Sequence, residues 1–239
     1  MDTTAYVSLS RAVALDRQMT ALAQNIANAS TSGYRAERMV FEAVLERAGA
    51  GERVAFVQDR GPIRDRTDAP LIATGERLDL AITGEGFFMV EAADGRRYTR
   101  AGHFQLDAQG RVATSDGALL LDADGGAIEI GEEARSISVA PDGTLDVDGQ
   151  VVARIQPMLL PEASLVRVGS SRYASDAVPV AAENAAVVQG AVLGSDVQPV
   201  LEMSRLIETQ RAFEGAIRLI ETHHDLVRRH IERAGGVQA

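Results

Sequence analysis

Apolar residues recur at alternating steps of three and four at both ends of this 239-residue chain. In the first stretch Ala5, Ser8, Ala12, Leu15, Met19, Leu22, Ile26 and Ala29 keep that spacing. In the last stretch Met203, Leu206, Gln210, Phe213, Ile217, Ile220, His224, Val227 and Ile231 keep it. Such a 3-4 alternation lines one face of an α-helix at heptad a and d positions. The spacing therefore predicts one helix at each end. The first should stop at Ser30-Thr31-Ser32-Gly33, turn-favouring residues with a glycine able to adopt the left-handed backbone of a helix end. The second should be capped by Asp196, with Pro199 at the third helical position, where its missing N–H costs nothing. Arg228, Arg229 and Arg233 suit its C-terminal dipole, and Gly235-Gly236 should end it. That helix would run ~37 residues, or ~55 Å. Covering its stripe is worth ~15–25 kcal/mol, less than the ~1–2 kcal/mol per residue needed to order its backbone. It is expected to be firm only when covered, with packing between molecules preferred to packing within one.

The stretch between the ends follows another period. Asp94-Gly95, Asp116-Gly117, Asp124-Gly125, Asp142-Gly143 and Asp148-Gly149 punctuate short alternating runs. Among these runs are Leu78–Ile82, Arg97–Arg100, His103–Leu106, Ile128–Ile130, Ile137–Val139 and Leu145–Val147. Asp-Gly suits the type I′ hairpin turn, and turn signals at this frequency predict an all-β sandwich or barrel. Charge divides the chain in the same way. Residues 1–50 carry five Arg and five acids, 195–239 six Arg and seven acids, and 51–194 thirteen Arg and twenty-two acids. The expected architecture is mainly β with terminal α-helices. A central β domain, 51–194, is inserted between an N-terminal helix with its following motif, 1–50, and a long C-terminal helix, 195–239. The two helices would form a coiled coil in an assembly.

Motifs for chemistry are weak. Gly84-Glu85-Gly86 lacks the third glycine and following helix of a phosphate loop and reads as a turn. Asp122, Asp124 and Glu133 match three positions of a calcium loop, but Ala127 stands where that loop needs glycine, so a hairpin turn is favoured. His103, His223, His224 and His230 include no pair spaced i, i+4, and His224 falls on the helical stripe beside His223, as a packed residue would. No serine sits in a nucleophile elbow, and nothing brings carboxylate pairs such as Glu132-Glu133 into a cleft. The absence of Cys excludes disulfides and thiolate sites. A net charge of -10 argues against nucleic acid as the main partner. No apolar run reaches the ~18 residues of a membrane span. Ala12-Val13-Ala14-Leu15 is too short for the apolar core of a secretory signal, so no cleavable Sec signal is expected. We expect no enzyme activity, cofactor, metal, small-molecule substrate or membrane insertion.

Three segments resemble the bacterial flagellar rod and hook protein family. Gln24-Asn25-Ile26-Ala27-Asn28-Ala29-Ser30-Thr31-Ser32-Gly33-Tyr34-Arg35 is similar to its N-terminal motif. Leu78–Leu121, with Gly84-Glu85-Gly86-Phe87-Phe88-Met89-Val90 and Tyr98-Thr99-Arg100-Ala101-Gly102, looks like its shared β region. Gln189–Val197, followed by Glu202-Met203 and Gln210-Arg211-Ala212-Phe213-Glu214, resembles its C-terminal motif. Asp196 departs from the usual Asn and Leu193 from a frequent acid. The resemblance implies a structural rod subunit in the proximal section of the periplasm-spanning drive shaft, with a distal-rod or hook-type member of the same family as the alternative, exported through the flagellar type III apparatus. Its partners would be copies of itself and other rod proteins in a helical assembly, because heterologous contacts that do not close build such assemblies. The implied assembly interface comprises Leu15, Met19, Leu22, Asn25, Ile26, Asn28, Gly33 and Tyr34, with Met203, Leu206, Gln210, Phe213, Ile217, Ile220 and Val227 on the second helix. A secreted β binding module on a coiled-coil stalk would have one stalk rather than helices at both ends. A carbohydrate-active β enzyme would need stacking aromatics, which are scarce here: the chain has four Tyr, six Phe and no Trp.

Overall fold

The computed structural model describes residues 3–48, 52–64, 69–131, 134–169 and 171–235. The Glu132-Glu133 pair and Gly236 lie outside the described residues, as do the side chains of Ala5, Val227, His230 and Ile231. The described chain is mainly β with one helix near each end. It divides into two compact units.

The first unit gathers Met1–Ala27, Ala36–Asp65 and Val197–Ala239. Helix α1 (Thr3–Ala27) is followed by strands β1 (Glu37–Ala48) and β2 (Glu52–Arg64), an antiparallel ribbon with a bulge between Met39 and Phe41. A two-stranded ribbon is marginal in water on its own, and here α1 packs against both strands. The sequence reading names no strand in this stretch, for a physical reason. No Asp-Gly pair lies between the two strands, so the turn signal that marks the strands of the middle of the chain is missing here.

The closing helix α2 runs Pro199–Gly235, and Glu202 N–H donates to Gln198 C=O at 3.0 Å as the first bond of its ladder. The helix therefore starts later than a cap at Asp196 would put it. Pro199 stands at the first helical position, where its fixed φ is favourable and its missing N–H is no loss. Asp196 instead donates its N–H to Tyr34 C=O at 3.3 Å, within the second unit.

The last turn of α1 meets the first turn of α2 through Asn25 and Glu202, and the helices pack along each other from that end, so their directions oppose. At 25 and 37 residues they differ by twelve, and α2 outlasts its partner by ~18 Å. Part of the cover that the stripe reading assigned to neighbouring molecules thus comes from the chain's own α1.

On α1 Ser8, Ala12 and Leu22 of the stripe are buried and Leu15, Met19 and Ile26 half-buried, while Ala14, Ala21 and Asn25, beside the stripe, are buried as well. On α2 the buried line is offset by one residue at alternate positions. Glu202, Thr209 and Ala216 are buried, whereas Met203 is 46% exposed and Gln210 and His224 are exposed. Leu206, Phe213, Ile217 and Ile220 remain half-buried. The offset has a chemical cause, since the Glu202 carboxylate is drawn inward by Asn25 and Arg205. Met203 then turns outward. His223, not His224, is the half-buried histidine.

The second unit gathers Asn28–Arg35 and Arg66–Asp196. Its strands are β3 (Leu71–Ala73), β4 (Leu80–Thr83), β5 (Phe88–Ala92), β6 (Gly95–Thr99), β7 (Phe104–Leu106), β8 (Val112–Thr114), β9 (Leu119–Leu120) and β10 (Ile137–Val139). They continue as β11 (Thr144–Val147), β12 (Gln150–Arg154), β13 (Met158–Leu159), β14 (Val166–Val168), β15 (Arg172–Ala174), β16 (Val180–Ala181), β17 (Ala186–Gln189) and β18 (Ala191–Leu193). All pairings are antiparallel. The largest sheet has the order β14-β15-β6-β5-β9-β8-β7, and smaller sheets join β10-β11-β12, β13-β16, β17-β4 and β18-β3.

Strand β5 lies in the middle of the large sheet and is apolar on both faces. Phe88 and Val90 enter one core with Leu80, Ile82, Phe104 and Leu120, while Met89 joins Tyr98, Met158 and Tyr173 in another. Phe87 packs edge-on against Tyr173 at 5.6 Å, and Phe88 edge-on against Phe104 at 5.4 Å. Gly84 and Gly86 have φ of 89° and 131° in the turn between β4 and β5, as the turn reading requires.

The expectation of type I′ turns holds at Asp148-Gly149, where both φ angles are positive, 53° and 84°. It fails at the other four Asp-Gly pairs, where only the glycine is left-handed. Longer hairpin loops use a right-handed turn closed by a left-handed glycine, so Asp-Gly serves them with aspartate in its ordinary conformation. Asp122 Oδ1 accepts the N–H groups of Asp124 and Gly126 at 2.9 and 2.8 Å, closing the calcium-loop-like stretch as a turn between bridged Leu121 and Ala127.

Candidate assembly site

Asn25 is wholly buried in the first unit, and its amide works like a strand edge. Its Oδ1 accepts Glu37 N–H at 3.0 Å, and its Nδ2 donates to Glu37 C=O at 2.9 Å and to Glu202 Oε2 at 3.0 Å. Arg205 holds the other oxygen of Glu202 at 2.7 Å. A carboxylate in the first turn of α2 also faces the positive end of the helix dipole. One carboxamide thereby ties the end of α1 to the starts of β1 and α2. Only an amide, carrying donor and acceptor together, can make all three bonds.

A separate set of contacts lies in the second unit, around Asn28–Arg35. After the half-buried Asn28 come two successive turns, Thr31 N–H to Asn28 C=O at 3.0 Å and Tyr34 N–H to Thr31 C=O at 3.2 Å. Gly33 N–H is shared between the carbonyls of Leu193 and Gly194 at 2.9 and 3.2 Å, and Ser32 Oγ donates to Leu193 C=O at 2.7 Å. Gly33 has φ +68°, and a Cβ there would stand 2.3 Å from the Arg100 carbonyl carbon. Its fixed place follows from both demands.

Tyr34 is 1% exposed, with the Arg167 guanidinium 4.4 Å above its ring and 5.2 Å from the ring of Tyr173. Such a desolvated cation–π contact is worth ~2 kcal/mol. Arg167 also donates to Arg35 C=O at 2.7 Å, and Arg35 pairs with Glu162 at 2.6 Å. These contacts fix backbone. What they can do is mechanical: they hold the N-terminal motif against the C-terminal one inside the second unit.

The structure places Asn25 at the first set of contacts and Asn28, Gly33 and Tyr34 at the second. Leu15, Met19, Leu22, Ile26, Leu206, Phe213, Ile217 and Ile220 lie on the buried or half-buried sides of the helices, and Met203 and Gln210 on exposed ones. The side chain of Val227 is outside the described residues. Sequence reasoning missed Glu202, Glu162 and Arg167 as contributors. Glu202 had a legible signal as an acid in a first turn; Arg167, in a three-residue strand, had none. Among the described residues, no group of three or more His, Asp or Glu is placed to hold a metal, and no helix is long and apolar enough to cross a membrane.

Comparison with known proteins covers the same segments. Residues 6–35 match the family described as flagella basal body rod protein, 81–147 the flagellar hook protein FlgE/F/G D1 domain, and 188–232 the flagellar basal body rod FlgEFG protein C-terminal family. The chain is 35% identical over 245 residues to the flagellar basal-body rod protein FlgF of Caulobacter vibrioides, covering 99% of this chain and 100% of the relative. This chain belongs to the flagellar basal-body rod protein family. FlgF of Rhizobium meliloti is 33% identical, with 99% of both chains covered. The rod protein FlgG of Bacillus subtilis is 28% identical, covering 86% of this chain and 89% of its own. In this rod-family chain Asn25 and Asn28–Arg35 fall within the matched segment 6–35, and Leu193–Asp196 and Glu202 within 188–232, while Glu37, Glu162 and Arg167 lie outside the matched segments.

Proposed function

We propose that this chain, a structural subunit of the flagellar basal-body rod, builds the proximal section of that rod and is delivered by the flagellar export apparatus. The reading rests on the end-to-end similarity to FlgF relatives at 33–35% identity, with no large segment left over on either side. The terminal helices supply the axial packing as a coiled coil between subunits, and the acidic β unit takes the outer position. In this reading Leu15, Met19, Leu22, Met203, Leu206, Gln210, Phe213, Ile217, Ile220 and Val227 form the helical interface, with Asn25, Ile26, Asn28, Gly33 and Tyr34 shaping its end. Unspent apolar surface supports it. Tyr6, Leu9 and Val13 on α1, and Val200, Met203 and Ile207 on α2, are exposed at steps of three and four. Exposed apolar stripes of this kind mark protein contacts.

Met203→Asp tests the interface. The residue is nearly half exposed, so the monomer should keep its stability within ~0.5 kcal/mol. Rod incorporation and swimming should both be lost, because the variant places a charge in an apolar contact. A motile Met203→Asp strain with normal basal bodies would remove this face from the assembly.

A further inference from the structure

The five Asp-Gly pairs share one latent reaction. The backbone nitrogen of a glycine that follows aspartate can attack the side-chain carboxyl carbon. A new N–Cγ bond closes a five-membered succinimide, and the carboxyl hydroxyl leaves as water with the amide proton. Water then reopens the ring at either carbonyl. Opening at Cγ restores aspartate, and opening at the main-chain carbonyl leaves isoaspartate, with the backbone running through Cβ and Cγ. No co-reactant other than water is consumed. The electrophile is the protonated carboxyl, so bonds that hold the group as a fixed carboxylate suppress attack.

Four of the five carboxylates are held in this way. Asp94 receives Arg97 at 2.7 Å, and Asp116 receives the Thr114 hydroxyl at 2.7 Å and pairs with Arg172. Asp142 receives Thr144 N–H at 3.1 Å and its hydroxyl at 2.9 Å. Asp148 receives the N–H groups of Ser136 and Arg135 at 2.8 and 3.1 Å. The leading causes, the Arg97 guanidinium, the Thr114 hydroxyl, Thr144 N–H and Ser136 N–H respectively, lower all four below the ordinary aspartate range.

Asp124 differs. It is exposed, and its carboxylate has no hydrogen-bond or ion-pair partner among the described residues. The attacking nitrogen is also looser. Gly125 N–H donates to Asp122 C=O at 3.2 Å, whereas those of Gly117, Gly143 and Gly149 are bound at 2.9 Å. We propose that Asp124-Gly125 is the chain's site of spontaneous isoaspartate formation, a covalent ageing mark in the turn between Leu121 and Ala127 on the second unit.

The test is to incubate the purified full-length protein at neutral pH and 37 °C for weeks and then digest it. Isoaspartyl peptides are resolved by their chromatographic shift and by their resistance to a protease that cuts before aspartate. The bonds that hold the other four carboxyls favour their ionised, unreactive form, so isoaspartate at 124 should exceed that at each other Asp-Gly several-fold. In urea, with the holding bonds gone, the five rates should converge. Asp124→Glu should remove the dominant product from the folded sample. Equal accumulation at Asp94, Asp116, Asp142 or Asp148 in the folded protein would overturn the proposal. So would preference for Asp124 that persists unchanged in urea, since local sequence would then be the cause.

Discussion

Replacing Gly102 with alanine should unfold the second unit. A Cβ at that position would stand 1.6 Å from the carbonyl oxygen of Leu80 and 2.7 Å from its carbon. Those atoms are backbone, and they are fixed. Leu80 N–H donates to Gly102 C=O at 2.9 Å, and the Leu80 side chain belongs to the main core with Ile82 and Phe88. No side-chain tip can swing aside, so β4 must shift and take its core contacts with it. The cost should exceed ~4 kcal/mol, the exceptional range for one substitution. Gly117→Ala is the matched control. Its φ is +86° but nothing lies within 4 Å, so it should lose only the ~1–2 kcal/mol of a left-handed alanine. Denaturant melts of both variants, followed by near-ultraviolet circular dichroism from the buried tyrosines, read the difference. A stable Gly102→Ala protein would refute the close packing of β4 on this loop.

The second large effect is expected at Asn25. Leucine there keeps the volume but leaves Glu37 N–H, Glu37 C=O and one oxygen of the Glu202 carboxylate without this partner. Each unsatisfied buried group costs ~1–3 kcal/mol, so the loss should reach ~3 kcal/mol or more. Asn25→Asp should fare no better. It lacks the donor and sets a second carboxylate against Glu202. Hydrogen exchange should rise in α1, in β1 next to Glu37 and in the first turns of α2, with β4, β5 and β6 still protected. Unchanged protection around Glu37 in either variant would contradict the role assigned to this amide.

Much of the architecture was legible because period and turn chemistry are local. The stripe from Ala12 to Ile26 gave α1, the spacing after Met203 gave a second helix of the right length, and the alternating runs gave β4, β6, β7, β10 and β11. What stayed hidden depends on distant partners. The ribbon of β1 and β2 has no Asp-Gly turn between its strands to announce it. The inward face of α2 is set by Asn25, 177 residues away, which draws in Glu202 and turns Met203 outward. The 3-4 pattern alone cannot choose between neighbouring residues when the buried one is charged. At the candidate site, Asn25, Gly33 and Tyr34 stood out through family resemblance, while Arg167 and Glu162 became visible only once folding had brought them beside Tyr34 and Arg35.

The central claim is that this chain is built into the basal-body rod. It is tested most directly by purifying hook–basal bodies from a strain carrying the native gene and quantifying their proteins by mass spectrometry. The rod assignment predicts this chain in those particles at a fixed ratio to the other rod proteins, retained through detergent and salt washes. Its absence from washed basal bodies of a motile strain that expresses it would contradict the assignment.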